Sequence, residues 1–271
     1  MGLPRNVALK LDRAEEHAQA LRVAHDDFLA TEPYTYRRTV DGGARERAGT
    51  DHVFRWERYT EPPACLGLIT GDAVHNARSA LDHLAMALAE RGASANGETM
   101  TGEDEARIQF PIVLSPAQFV KQEHRGRLKF VDPAARALIE ASQPYEVATH
   151  AAEAHLMRIA SLDNADKHRA ITAVAHAITI GQIGWPADFS DTQPERPVGP
   201  PPPGQGYGEA GTEIFRFAFA SPQREVDVPC DIGFGCVLVD VVPPIVIWAN
   251  VEGWIKTLRI VAEEIACRFL P

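Results

Sequence analysis

Two stretches of this 271-residue chain gather carboxylates, imidazoles and guanidinium groups at helical spacing. The first runs from Gly71 to His83. In it His75, Ser79 and His83 follow one another at i, i+4 and i+8, and Arg78 and Asp82 are four apart. Neighbours at these spacings can hydrogen-bond along one helix face. On a wheel of roughly 100° per residue, Leu66, Ala73, Ala77, Ala80, Leu81, Leu84 and Leu88 gather on one side. Asp72, His75, Arg78, Ser79, Asp82 and His83 gather on the other. A solvated face is usually filled with Glu, Lys and Gln, as the first helix of this chain is; short carboxylates, imidazoles and an arginine are a different set. A polar network buried to fix packing is the competing reading of the same residues.

The second stretch ends in Asp163, Asp166, Lys167 and His168. If its helix buries Leu156, Ile159 and Ala160, the same stripe one heptad on is occupied by Asp163, Asp166 and Lys167. Carboxylates in such a place need a partner, because an unpaired buried charge costs several kcal/mol. His75, Arg78 and His83 are the natural candidates. The two helices are therefore expected to face each other and to form one pocket from His75, Arg78, Asp82, His83, Asp163, Asp166, Lys167 and His168. Neutral His and carboxylates can also bind metal, but neither helix carries H-E-x-x-H or E-x-x-H, and Arg78 and Lys167 would repel a cation. No metal or cofactor is assigned. A P-loop, a dinucleotide-binding glycine fingerprint and a G-x-S-x-G elbow are all missing.

The elements that must position these residues can be traced from periodicity. Val7, Leu11, Ala14, Ala18, Leu21 and Ala24 recur at three- and four-residue steps over Arg5 to Leu29, an amphipathic helix. Alternating runs at Tyr34–Val40 and His52–Tyr59 read as a β-hairpin within 34–60. Pro62 and Pro63 precede a long helix from about Ala64 to Arg91, and Gly92 to Glu105 reads as a surface loop. Phe110 to Val113 is a short extended piece. Ser115-Pro116 can open a helical turn through Val120, and Asp132-Pro133 opens a helix that must end before Pro144. A further helix covers about His150 to Asp166.

Beyond residue 170 the period changes to two, at Ile178 and Ile180, at Phe215, Phe217 and Phe219, at Val226 and Val228, and in the apolar run Cys236 to Val242. These are sheet strands. Pro194 to Gly208, within 171–242, reads as an extended or disordered proline-rich loop. A last helix from about Pro244 to Phe269 carries a stripe of Ile247, Val251, Trp254, Leu258, Val261, Ile265 and Phe269. The expected architecture is α+β in one domain spanning 1–271: a core of four to five helices, centred on 62–170, with a small antiparallel sheet on one side.

Composition narrows the setting. No run approaches the roughly 18 apolar residues of a membrane helix. The opening MGLPRNVALKLDRAEEH lacks the basic-then-apolar layout of a secretory signal, so a cytoplasmic location and no membrane partner are expected. Cys65, Cys230, Cys236 and Cys267 have no metal-knuckle spacing and read as buried free thiols. A formal net charge of −10 opposes nonspecific attraction to a phosphate backbone, so a nucleic-acid role requires a local basic patch.

The segments Gly71–His83, Phe110–Ile112 and Asp166–Arg169 resemble a family of bacterial proteins that share a GD-x-x-HN-x-RSALDH helix, a later FPI and a DKHR segment. The resemblance covers about Pro62 to Arg169 and brings no assigned activity. Arg78, Ser79 and His83 also resemble, more remotely, the pattern of HEPN domains, helical bundles whose ribonuclease members use an Arg, usually followed by a polar residue, and then a His four to six residues further on. Arg45 or Arg47 with His52, and Arg169 with His176, fit the same spacing, and a sheet is not part of the usual HEPN bundle. That resemblance implies His83 as general acid/base, Arg78 stabilising the developing phosphorane charge, and no metal.

Two readings follow. One is a hydrolytic enzyme with an Arg/His/Asp pocket, an HEPN-like ribonuclease in its sharpest form, acting on RNA or a small molecule. The other is a noncatalytic binding or assembly protein whose polar cluster is a structural ion-pair network, with a homodimer as its partner.

Overall fold

In the computed structural model the chain runs in the order α1 (Arg5–Ala30), β1 (Tyr34–Gly42), β2 (Thr50–Tyr59), α2 (Cys65–Asn96), α3 (Gly102–Arg107), α4 (Pro116–His124), α5 (Pro133–Ala141), α6 (His150–Asp166), β3 (Ala173–Ile183), β4 (Glu195–Val198), β5 (Glu213–Phe219), β6 (Cys230–Leu238), β7 (Ile245–Val246) and α7 (Ile247–Phe269). The residues described are 2–42, 50–146, 150–168, 171, 173–183, 195–198, 210–219, 230–238 and 245–270. No helix among them is long and apolar enough to cross a membrane.

The architecture is α+β, and the core forms around α2. All seven apolar residues on its predicted inner face are buried, and the helix packs against α1, α6 and α7. Three glycines let other segments reach its backbone. A Cβ at Gly67 would lie 2.0 Å from the carbonyl oxygen of Ile171, one at Gly92 would lie 1.8 Å from that of Phe130, and one at Gly71 would meet the Asp166 carboxylate at 2.3 Å. The segment before α5, the end of α6 and the chain after α6 are thus seated directly on α2.

Four strands pair antiparallel in the order β1-β2-β5-β4, and a separate antiparallel sheet has the order β3-β6-β7. The strands after residue 170 are therefore divided between two sheets, where one was expected. β5 joins the N-terminal hairpin, with His52 opposite Phe217 and Phe54 opposite Phe215. Under the hairpin, Tyr34 lies 5.5 Å from Trp56 and 5.8 Å from Phe28 between ring centroids, which fixes the sheet to the end of α1.

Several boundaries move. α2 continues past Arg91 to Asn96 and ends at Gly97 in the left-handed conformation, and α3 occupies part of the predicted loop 92–105. α3 is opened by a capping box in which Thr101 and Asp104 each accept from the other's backbone N–H. Glu195–Val198 of the predicted proline-rich loop is strand β4, and residues 199–208 and the predicted strand at 226–228 lie outside the described residues. Of the cysteines, Cys236 is buried while Cys65 and Cys267 are exposed free thiols, which corrects the expectation for those two. The buried apolar side chains of α1, α2, α5, α6 and α7 join those of β2, β5 and β6 in one continuous cluster.

The glycine contacts give a graded test by urea unfolding. Gly67→Ala and Gly92→Ala oppose a backbone carbonyl and are expected to lose about 3 kcal/mol each. Gly253→Ala, on α7 with nothing within 4 Å of its Cβ position, is expected to gain about 1 kcal/mol from helix propensity.

Candidate functional site

Arg78 and Asp82 hold one residue of the facing chain between them. The Nη2 of Arg78 donates to the carbonyl oxygen of Phe110 at 2.7 Å and lies 3.0 Å from Asp82 Oδ1, which in turn accepts from the Phe110 N–H at 3.0 Å. The pair thus satisfies both backbone groups of Phe110, much as a neighbouring strand would. Gln143 treats the next residues alike: its Nε2 donates to the Pro111 carbonyl at 2.9 Å and its Oε1 accepts from the Val113 N–H at 3.0 Å. An irregular segment can lie in the interior because these side chains supply its hydrogen bonds. The Phe110 ring is fully buried beneath it.

Burial pulls the Arg78 guanidinium below its ordinary value and pushes the Asp82 carboxyl above its own, and the attraction between them opposes both shifts. The Arg78 side chain is 11 % exposed, and its Nη1 is sealed from water with no hydrogen-bond partner among the described residues. An orphaned donor on a buried charge is costly, which makes Nη1 the least satisfied described atom on this face of α2.

α6 brings the acidic part of the site. Asp163 is 2 % exposed; its Oδ1 lies 3.0 Å from Nδ1 of His75, and its Oδ2 accepts from Lys167 Nζ at 2.6 Å. The two helices face each other as the stripe argument required. His75 is half exposed, so an imidazole oriented by a buried carboxylate stands at the surface. Asp166 lies over Gly71, and burial together with the charges of Asp72 and Asp163 raises its pKa, against the pull of His75.

His83 and His168 stand apart from this group. Five residues separate Arg78 from His83, which places them about 140° apart around a helix, and the His83 Nδ1 lies 3.3 Å from the side-chain amide of Asn6 on α1. His168 is exposed just past the end of α6. Of the competing Arg–His pairs, Arg45, Arg47 and Arg169 lie outside the described residues. Among the described residues no three His, Cys, Asp or Glu side chains are grouped to hold a metal ion.

A cleft of about 230 Å³ opens beside Phe110, and Arg78 and Asp163 form part of its wall with Lys167, Asn164, Gln109, Gln122, Arg125 and Arg127. The last two were missed by the sequence reading. They flank Gly126, which ends α4 at φ +79°: the Gly126 N–H bonds to the Glu123 carbonyl and the Arg127 N–H to that of Gln122, a Schellman turn. Arg-Gly-Arg after a helical run was the available signal for the turn, though not for where the turn would point. Arg127 donates to the Arg107 carbonyl at 3.1 Å, and among the described residues neither Arg125 nor Arg127 has a carboxylate at ion-pair distance.

A second cavity, of about 260 Å³, lies between α5, α6 and α7 and is lined by Leu138, Leu156, Val261 and Ile265, with Ser142, Thr257 and Glu264 as its polar members. It lacks the convergent charges of the first. Compared with protein-family models, curated proteins and solved structures, the chain matches none.

Asp82→Ala is expected to cost about 3–5 kcal/mol in urea unfolding, because it strands a buried guanidinium and the Phe110 N–H together. Asp166→Asn should act in the opposite sense. A carboxyl whose folded pKa is raised stabilises the fold below its unfolded pKa and loses that contribution as pH rises through the folded value. The substitution should therefore raise Tm by about 1–2 °C at pH 7 and leave it unchanged near pH 3, as read by circular dichroism.

Proposed function

We propose that the cleft beside Phe110 binds a small anionic ligand, and that the chain is a cytoplasmic hydrolytic enzyme acting on an ester of that ligand. The observation that carries the reading is the cleft wall itself, where Arg78, Arg125, Arg127 and Lys167 converge and where Arg125 and Arg127 have no carboxylate at ion-pair distance among the described residues. Four cations gathered at one cleft against fewer carboxylates give it a local positive potential that favours an anion. The chain as a whole is strongly acidic, so the basic character is local.

Hydrolysis is supported by the His75–Asp163 pair. A carboxylate on Nδ1 fixes the tautomer and leaves Nε2 as a general base, with Asp163 shared between that base and the cleft. In a ribonuclease version of this chemistry the base working with Arg78 is His75, because His83 is turned toward α1. The noncatalytic reading has its own support in the clamp on Phe110, which gives Arg78 and Asp82 a structural task whatever else they do.

Thermal unfolding of the full chain with and without inorganic phosphate at constant ionic strength tests the binding. At ten times Kd a ligand of the folded state adds about 1.4 kcal/mol, or about 4 °C in Tm. That rise is expected for the wild type and is expected to shrink in Arg125→Ala and Arg127→Ala, whose side chains break no ion pair among the described residues. A Tm that no anion moves would overturn the reading. His75→Ala then separates the two forms of it: with 4-nitrophenyl phosphate as probe, the variant should retain phosphate binding and lose turnover.

A further inference from the structure

The charges around the cleft can be matched to a ligand. Arg78, Arg125, Arg127 and Lys167 bring four positive charges to it, Asp163 brings one negative, and Asp82 behind Arg78 brings another. Two positive charges remain uncompensated. Burial lowers the Arg78 pKa, Asp82 and Asp163 oppose that, and the charge of Arg127 adds to the lowering, so the two guanidinium groups are near enough to repel one another. A monoanion such as a carboxylate or an internal phosphodiester would neutralise half of the excess. A terminal phosphate carries about −1.5 to −2 at pH 7 and offers three acceptor oxygens.

Size points the same way. A cleft of about 230 Å³ falls below the roughly 300–1,000 Å³ of sites that enclose a whole drug-sized ligand. It can take a phosphate and the atoms next to it, with the rest of the molecule outside. The side-chain amides of Gln122 and Asn164 also line the cleft and can pair with what protrudes.

Resting on the anion-binding reading above, we propose that the cleft is a receptor for the terminal phosphate dianion of a phosphomonoester, held by Arg78, Arg125, Arg127 and Lys167, and that it discriminates against internal phosphodiesters. The substrate class for the proposed hydrolysis is then a small phosphorylated metabolite or a phosphorylated chain end.

Isothermal titration of the full chain with methyl phosphate, dimethyl phosphate and sulfate, at pH 5 and pH 7.5 and constant ionic strength, tests this. Methyl phosphate is expected to bind at least tenfold more tightly than dimethyl phosphate at pH 7.5. It should weaken about tenfold at pH 5, where most of it is monoanionic because its second pKa is about 6. Sulfate stays dianionic over this range and so controls for any pH-dependent change in the protein itself, in the cleft-lining Asp163 and Lys167 or in Asp82, His75 and Asp166 beside them. The methyl phosphate result is read relative to it. Arg127→Ala and Arg125→Ala, checked for native circular dichroism, should each weaken methyl phosphate about tenfold. Equal binding of the diester, or a pH dependence no different from that of sulfate, overturns the dianion inference and leaves the anion-binding reading standing. Undiminished binding in both arginine variants places the site elsewhere and overturns the inference, and absence of binding by all three anions overturns both.

Discussion

Burying a guanidinium requires that its charge and its donors be answered, and the middle of this molecule is arranged around answering those of Arg78. Asp82 supplies the counter-charge one helical turn away and the Phe110 carbonyl supplies an acceptor. Because Asp82 also takes the Phe110 N–H, charge compensation and the seating of residues 109–113 are one interaction. Separating the pair would leave a charge and a peptide group unsatisfied in the interior together, a penalty larger than the net worth of either bond. The long helix thereby serves as core on one face and as floor of the cleft on the other.

The opposite wall depends on close approach. With glycine at 67 and 71, the end of α6 and the chain following it can lie against the backbone of α2, and that contact brings Asp163 to His75 and to the cleft. Asp163 is nearly inaccessible while its partners His75 and Lys167 are half exposed. The carboxylate is fixed and its partners remain open to solvent, which suits a group that orients others. Burial and the charges of Asp72 and Asp163 raise the Asp166 pKa against the pull of His75, while Asp82 and Asp163 support the charge of Arg78 against burial and Arg127.

The sequence revealed what is local. α2 was legible because its apolar residues keep a 3.6-residue period for eight turns, and the facing of α2 and α6 was legible because Asp163, Asp166 and Lys167 continue a stripe begun by buried residues. The placement of His83 was misjudged for a geometric reason: a fifth residue along a helix is nearer the opposite side than the same side. α3 escaped notice although Thr101 and Asp104 stand at capping-box spacing, since Asp replaced the more familiar Glu. Arg125 and Arg127 could not be assigned to the cleft from sequence, because only the tertiary path after α4 carries them to α2. The division of the strands into two sheets was equally illegible: β2 pairs with β5 across more than 150 residues, and nothing in a period-two pattern states its partner.

The central claim is that Arg78, Arg125, Arg127 and Lys167 converge on one cleft because a phosphate group binds there. The most direct measurement is a crystal structure of the chain grown with methyl phosphate. The expected result is a phosphate in the cleft beside Phe110, with its oxygens accepting from Arg78 and Arg127 and the Asp82–Phe110 clamp intact. A cleft that holds only water, with no anion beside Arg78 or Arg127, would contradict it and would leave Arg78 as a purely structural residue.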